Sequence, residues 1–424
     1  MNIIYTLFLW LLLPLILFRL LLKSRRQPEY LKHVGERFGF YPAPPEKSVI
    51  WLHAVSVGET RATASLVARL KEAYPGHRIL LTHTTPTGRA AGEQLYGESV
   101  LRAYLPYDYP FAVRRFFRHF RPSLGVLMET EIWFNLIHAG KEAGVPMLLM
   151  NARMSEKSAR GYGRISALTR KALGELSAVA AQGKDDAERL VRLGAKNVSV
   201  MGNLKFDISP PAAMLELGAA FREQYGVRQA FLLASTREGE EALVLDAWQK
   251  CTIAALLVIV PRHPERFEEI AGMLENRGLK YQRRSENRTV KDEVQVVLGD
   301  SMGEMFAYYA ASDISFIGGS LLPFGGQNLI EACSVGKPVL LGPHTYNFAD
   351  ATRLAVEAGA AVQVQNADEL MQKATLILED QEKRVLMGRQ GLAFVASHQG
   401  ATGKAMDIIG HVKIAPAAVQ SIRP

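Results

Sequence analysis

Short β-prone runs alternate with amphipathic stretches along almost the whole chain, and after a Ser209-Pro210-Pro211 break the alternation starts again. This restart constrains the fold more than any other feature. Apolar runs too short for helices, spaced by helical stretches, belong to a parallel sheet covered on both faces. Two prolines in succession interrupt any helix and favour an extended link. Before the break, residues 48–55 (SVIWLHAV), 78–83 (RILLTH), 100–106, 124–128, 146–151, 177–182 and 198–203 read as strands. After it, residues 230–236, 255–261, 294–300, 313–319 and 338–343 read as five more, and the stretch from Asp380 to Val412 reads as helices without a strand. The predicted fold class is α/β, with two doubly wound, Rossmann-like domains at residues 27–208 and 209–424 and a separate segment at 1–26. Ligands of such sheets bind beyond the carboxyl ends of the strands. With two sheets facing one another, the cleft between them is the expected site.

The N-terminal segment has a different character. Ile3 to Phe18 is apolar throughout apart from Tyr5 and Thr6, then Arg19 intervenes before Leu20-Leu21-Leu22 and the cations Lys23, Arg25 and Arg26. A membrane span takes about 20 residues, a length reached here only if Arg19 snorkels. A cleavable signal peptide carries its positive charge ahead of the apolar run. Here the order is reversed, so an uncleaved anchor with the body on the cytoplasmic side is expected; a buried or interfacial helix is the alternative. Residues 111–120 (FAVRRFFRHF) interleave Arg with Phe. They read either as a helix lying on anionic lipid or as one with Phe in the core and Arg in water. The net charge of +8 is modest for 424 residues and does not indicate nucleic acid as a partner. Two cysteines without a CxxC exclude a disulfide scaffold or a zinc ribbon.

In the second half, residues 318–343 (GGSLLPFGGQNLIEACSVGKPVLLGP) read as a strand end, a glycine-rich loop and a helix beginning near Gln327. Glycines admit close backbone approach, and a helix N-terminus offers free N–H groups to a phosphate. Asn328 and Glu331, three residues apart, share a face where a ribose could be bound, although an ordinary strand–loop–helix joint fits the same letters. Pro261-Arg262-His263-Pro264 follows another strand, and Gly299-Asp300-Ser301-Met302-Gly303-Glu304 a third. Together these loops resemble a nucleotide site. There is no DxD triplet, no HExxH and no GxGxxG, so metal-dependent phosphate handling is not indicated and no metal or other cofactor is expected.

In the first half, His53-Ala54-Val55-Ser56-Val57-Gly58-Glu59 carries a strand into a helix. Glu59 could accept a proton from a hydroxyl nucleophile. The helix dipole would favour its ionised form and make it a weak base, and a glutamate in a first helical turn is also routine. Glu129, Arg153 and Lys205 follow other strands of the same half. Each alone reads as a surface residue; four such groups at strand ends of one sheet favour a common site.

Taken in order, HAVSVGE, METEIW, NARMS, GNLKFD, PRHPERF and GGQNLIEA span nearly the whole chain. The chain thereby resembles the 3-deoxy-D-manno-octulosonic acid (Kdo) transferases of lipopolysaccharide assembly. The resemblance implies a GT-B fold and an inverting, metal-independent glycosyltransferase at the cytoplasmic face of the inner membrane. The implied donor is CMP-Kdo and the implied acceptor lipid IVA, the tetra-acylated lipid A precursor. It also implies Glu59 as proton acceptor and Glu129 and Lys205 as transition-state stabilisers. Pro261, Arg262, Met302, Gly303, Glu304, Asn328, Leu329, Ile330 and Glu331 are implied to hold CMP. A GT-B enzyme using a UDP-sugar, and a nucleotide-binding scaffold without chemistry, are the competing readings.

Overall fold

The computed structural model describes residues 3–251 and 253–414. Residues 1–2 and 415–424, which the expected anchor and second domain include, lie outside the described residues. Two compact units emerge, one formed by the chain up to Asp207 together with the residues from Gln399, the other by Ile208–His398.

The first unit contains a wholly parallel seven-stranded sheet: β1 (Val49–His53), β2 (Arg78–His83), β3 (Leu101–Tyr104), β4 (Pro122–Met128), β5 (Met147–Ala152), β6 (Ala178–Ala181) and β7 (Val198–Val200), in the order β3-β2-β1-β4-β5-β6-β7. The interior strand β1 is buried along its whole length. Its side chains alternate between two cores, as the pleat requires: Val49 and Trp51 join one cluster, Ile50 and Leu52 the other. Phe116, Phe117 and Phe120 lie in the Trp51 cluster, whereas Arg114, Arg115 and Arg118 are exposed. Of the two readings of residues 111–120, the core-facing one therefore holds.

The second unit repeats the plan with β8 (Gln229–Thr236), β9 (Ala255–Pro261), β10 (Tyr281–Arg283), β11 (Val296–Leu298), β12 (Ile314–Ile317), β13 (Val339–Leu341) and β14 (Ala361–Gln363), ordered β10-β11-β9-β8-β12-β13-β14 and again all parallel. Seven strands stand where five were predicted. The two extra ones, YQR and AVQ, are three-residue edge strands with polar members, too short to produce an apolar run.

The chain's last described helix, Ala401–Gly410, does not stay with the second sheet. Ala401, Ala405 and Ile409 enter the Ile50–Leu52 core of the first unit. The expectation that residues 209–424 form one domain is corrected accordingly. Periodicity marks this helix as amphipathic but does not say which sheet receives its apolar face. Asp207, the last residue of the GNLKFD motif, fastens it. Its carboxylate accepts from the backbone N–H of Gly400 (2.7 Å), Ala401 (3.3 Å) and Thr402. A carboxylate at a helix start satisfies free N–H groups and opposes the positive end of the dipole. Asp207→Ala is expected to cost about 0.5–2 kcal/mol, read as a lowered thermal unfolding midpoint; an unaltered midpoint would show the cap to be dispensable.

Candidate functional site

In each sheet the chain leaves the first strand to one side and later returns to the other. The crevice opened by that reversal lies beyond the carboxyl ends of the strands flanking it. In the first unit these are β1 and β4, followed by α2 (Val57–Ala62) with Glu59 and by the loop with Glu129 and Glu131.

Ser56 caps α2 by accepting from the Glu59 N–H. In return its hydroxyl donates to Glu59 Oε1 (2.8 Å), while the Val55 N–H donates to Oε2 (2.8 Å). This resembles a capping box, except that the carboxylate reaches the N–H one residue before the cap, and it fixes the half-buried carboxylate at the crevice. Burial raises the Glu59 pKa, and the negative charge of Glu129 raises it further; the bonds from Val55 and Ser56 pull the other way without cancelling the rise. The expected weak base is therefore corrected. Desolvation and a neighbouring carboxylate outweigh the local donors, and a raised pKa makes a carboxylate a stronger proton acceptor.

Glu129 has φ +57°, and Asn151 at the end of the adjacent strand has φ +51°. A left-handed backbone costs a residue with a Cβ about 1–2 kcal/mol, and such strain gathers at functional sites. Glu129 Oε1 lies 3.7 Å from Lys205 Nζ, both side chains 25% exposed. A pair this open adds at most about 1 kcal/mol to stability, so its significance is the local field rather than the fold. Asn151 Oδ1 accepts from the Leu204 N–H (3.1 Å), and Asn203 Oδ1 from the Lys205 N–H (3.0 Å), which sets the turn presenting Lys205. Glu131 approaches the buried His53 (Oε2 to Nε2, 3.7 Å) and accepts from Trp133 Nε1 (2.6 Å). Arg153 is exposed, and its carbonyl accepts from Thr130 Oγ1 (2.6 Å), tying the two loops.

In the second unit the crevice lies between β8 and β12. Glu240 opens the helix Glu240–Trp248 and is completely buried. Its carboxylate accepts from the backbone N–H of Gly319 (2.6 Å), Arg237 (2.9 Å) and Leu321 (2.9 Å). The start of the glycine-rich loop is thus held by this side chain, and its later part by Tyr346 OH and Asn347 Nδ2, which donate to the carbonyls of Pro323 (2.8 Å) and Phe324 (3.0 Å). A Cβ at Gly318 would stand 2.6 Å from the Thr236 Cα, so only glycine fits there. Arg237 lies over the Phe324 ring, 4.4 Å from its centroid. The Arg262 N–H donates to the Thr236 carbonyl (3.0 Å), and Pro261, buried, ends β9. Burial and the positive charges of Arg237 and Arg262 lower the His263 pKa. Those two cations therefore share a neighbourhood suited to a phosphate.

The helix expected from Gln327 begins at Ile330 and spans only Ile330–Ser334. Asn328 forms a turn ahead of it, with Oδ1 accepting from the Ile330 N–H (3.1 Å) and Nδ2 donating to Glu331 Oε1 (3.1 Å). Asn328 and Glu331 do meet, but Leu329 and Ile330 are wholly buried, backbone included. Met302 is exposed and Gly303 turns with φ +84°. Glu304 is already engaged by Arg284 (3.1 Å) and by Ser301.

Comparison with known proteins now bears on this arrangement. Residues 32–208 match the family model described as 3-deoxy-D-manno-octulosonic-acid transferase, and residues 243–393 the glycosyl transferases group 1 model. The 3-deoxy-D-manno-octulosonic acid transferase of Bordetella pertussis is 43% identical over 96% of this chain and 98% of its own length. That of Haemophilus influenzae is 36% identical over 96% and 97%. The chain belongs to the Kdo transferase family. It is a glycosyltransferase. A solved glycosyltransferase from Rickettsia africae shares the fold at TM-score 0.57, with 15% identity over 87% of this chain and 100% of that one. The two doubly wound units are those of the GT-B class.

In this Kdo transferase the motif residues stand at strand ends of the two sheets, and Glu240, which no motif includes, braces the start of the glycine-rich loop. Ser56-Val57-Gly58-Glu59 is an S-x-x-E capping signature, legible in the letters. Glu240 sits in the counterpart position after β8, and that internal parallel was the available signal. Arg266, inside PRHPERF, is structural: it pairs with the buried Glu241 (2.6 and 3.1 Å) and with Glu269.

Proposed function

We propose that this Kdo transferase moves Kdo from CMP-Kdo to a sugar hydroxyl of lipid IVA, with inversion and without a metal, at the cytoplasmic face of the inner membrane. The observation that carries this reading is Glu59, a carboxylate with raised pKa at the crevice beside the Glu129–Lys205 pair. As the acceptor oxygen bonds to the anomeric carbon, its proton passes to Glu59 and the bond to the CMP phosphate breaks. Positive charge developing on the sugar is offset by Glu129. Lys205 faces the carboxylate that Kdo bears at its anomeric carbon. In the second unit Arg262, with Arg237, takes the phosphate of CMP, and the segments Met302–Glu304 and Asn328–Glu331 take the nucleoside. A leaving group with a single phosphate needs less neutralisation than a diphosphate, and two arginines can supply it. Among the described residues one helix, α1 (Ile3–Arg26), is apolar and long enough to enter a membrane, about 36 Å at 1.5 Å per residue; it is the proposed attachment.

Mass spectrometry of lipid IVA incubated with CMP-Kdo and the full-length protein tests donor, acceptor and stoichiometry together. The reading fails if no Kdo is added, or if a UDP-sugar is used in its place.

The pH profile offers a second test. Glu59 must be ionised to accept a proton, so kcat/KM falls as pH drops through its pKa. Because that pKa is raised, the acid limb lies above the ordinary carboxylate range. Glu129 contributes to the rise, so Glu129→Gln is expected to move the limb to lower pH while lowering the plateau. A limb that stays in place or moves up would show that another group governs it.

A further inference from the structure

The attachment helix is docked at its amino end. Tyr5 OH donates to Asp108 Oδ2 (2.9 Å), Asn135 Nδ2 lies 3.4 Å from Thr6 Oγ1, and Tyr109 OH donates to the Leu9 carbonyl (2.6 Å). Trp10 stacks on Phe111 (5.7 Å between centroids), and Tyr5 meets Phe134 edge-on (5.1 Å). Asp108 also accepts from the N–H groups of Asn135 (3.0 Å) and Leu136 (2.8 Å), so it caps the helix Phe134–Glu142. The carboxyl end of α1 returns to the same unit through residues 28–38. There Arg37 donates to the Thr84 carbonyl (3.1 Å), and Glu36 accepts from Arg89 and from the Tyr104 N–H (2.7 Å). The amino end of the helix, and the chain at Glu36 and Arg37 beyond its carboxyl end, are thus held by one folded body.

A helix that crosses a bilayer puts its ends on opposite sides of about 30 Å of hydrocarbon. A folded body cannot bind both. We infer that α1 lies in the plane of one leaflet, its amino end on the same side as the body, and does not cross the bilayer. The side chains divide in keeping with this. Ile4 (81%), Leu7 (63%), Leu11 (77%), Leu15 and Phe18 are exposed, whereas Tyr5, Leu9, Leu12, Ile16 and Leu20 are half-buried or buried. The hydroxyls of Tyr5 and Thr6, costly in hydrocarbon when unsatisfied, sit on the body side with polar partners. Arg19, which a spanning helix would carry into the apolar layer, reaches the headgroups together with Lys23 and Arg25. The occupant of the exposed face is one lipid leaflet. The docked end joins the loop after β3 and the start of the helix Phe134–Glu142, so the segment before that helix, bearing Glu129 and Glu131, is brought near the lipid surface. This rests on the proposed function only in taking a membrane as the partner.

The test is protease protection of the full-length chain carrying distinct tags at its two termini, in sealed spheroplasts and in inverted vesicles. Detergent controls must expose both tags. The expected result is that the two tags are digested together in inverted vesicles and protected together in spheroplasts. An amino-terminal tag protected where the carboxyl-terminal tag is digested would establish a span and overturn the inference. A second measurement uses Leu7→Lys/Leu11→Lys and sedimentation with phosphatidylethanolamine–phosphatidylglycerol vesicles. Binding should fall at least tenfold with the unfolding midpoint unchanged; undiminished binding would also overturn it. Neither readout depends on transfer, so failure of the acceptor assignment and failure of this one are separable.

Discussion

Glu59→Gln should leave a folded protein whose kcat is lower by about 10²–10⁴, the usual range for removing a general base. The local fold should survive, because the amide can replace both present contacts. Its oxygen can accept from the Val55 N–H, and its nitrogen can donate to Ser56 Oγ once that hydroxyl turns. What the amide lacks is the capacity to accept a proton. The measurement is single-turnover transfer to lipid IVA, with CMP affinity and unfolding midpoint as controls. Both controls should be unaltered, since the CMP residues proposed above belong to the second unit. Transfer within tenfold of the original would move the proton acceptor elsewhere, with Glu131 the next carboxylate to examine.

The second large effect is expected at Glu240, where the same substitution has no such escape. Oε2 accepts from Arg237 and Gly319, and Oε1 from Leu321. An amide placed here must turn N–H₂ toward an N–H on one side. At least one buried backbone donor is left without a partner, at about 1–3 kcal/mol, and the glycine-rich loop loses its brace. Glu240→Gln should therefore lower the unfolding midpoint and weaken CMP binding by about 10–100-fold, which is about 1.4–2.8 kcal/mol. Calorimetric titration with CMP reads the affinity directly. Unchanged affinity together with an unchanged midpoint would mean that neither the loop nor the ligand needs this carboxylate. Glu59 and Glu240 open the helix after the first strand of their respective sheets, and both are raised in pKa by burial. Their difference is one of saturation. Glu240 spends both oxygens on three backbone donors and is sealed from solvent, whereas Glu59 is only half-buried.

Why some of this was legible and some not follows from what leaves a mark on a linear pattern. Interior strands such as β1 and β8 are buried on both faces and read as unbroken apolar runs. The edge strands β10 and β14 carry three residues each and no such run. The proximity of residues at different strand ends was legible as well: Glu129 and Lys205, 76 residues apart, do meet. The sign of the Glu59 shift was not, because a dipole can be read from one helix whereas desolvation and the Glu129 field depend on three-dimensional neighbours. Likewise the start of the helix at Ile330 was misplaced because Asn328 turns the chain ahead of it through its own side chain, which the letters do not distinguish from a first helical turn. The two readings of residues 111–120 could be separated only by finding what covered Phe116, Phe117 and Phe120.

The return of Ala401–Gly410 to the first sheet bears on how this enzyme can be taken apart. Severing the chain at the Pro-Pro link yields no clean halves. The leading fragment would lack the apolar wedge of Ala401, Ala405 and Ile409, leaving Ile50 and Leu52 thinly shielded and the Asp207 carboxylate with no N–H groups to receive. The trailing fragment would drag that same wedge behind it with nothing to cover it, an invitation to clump. A stop after His398, paired with a grafted copy of residues 399–414 on the leading piece, is the division that respects how the polypeptide is threaded.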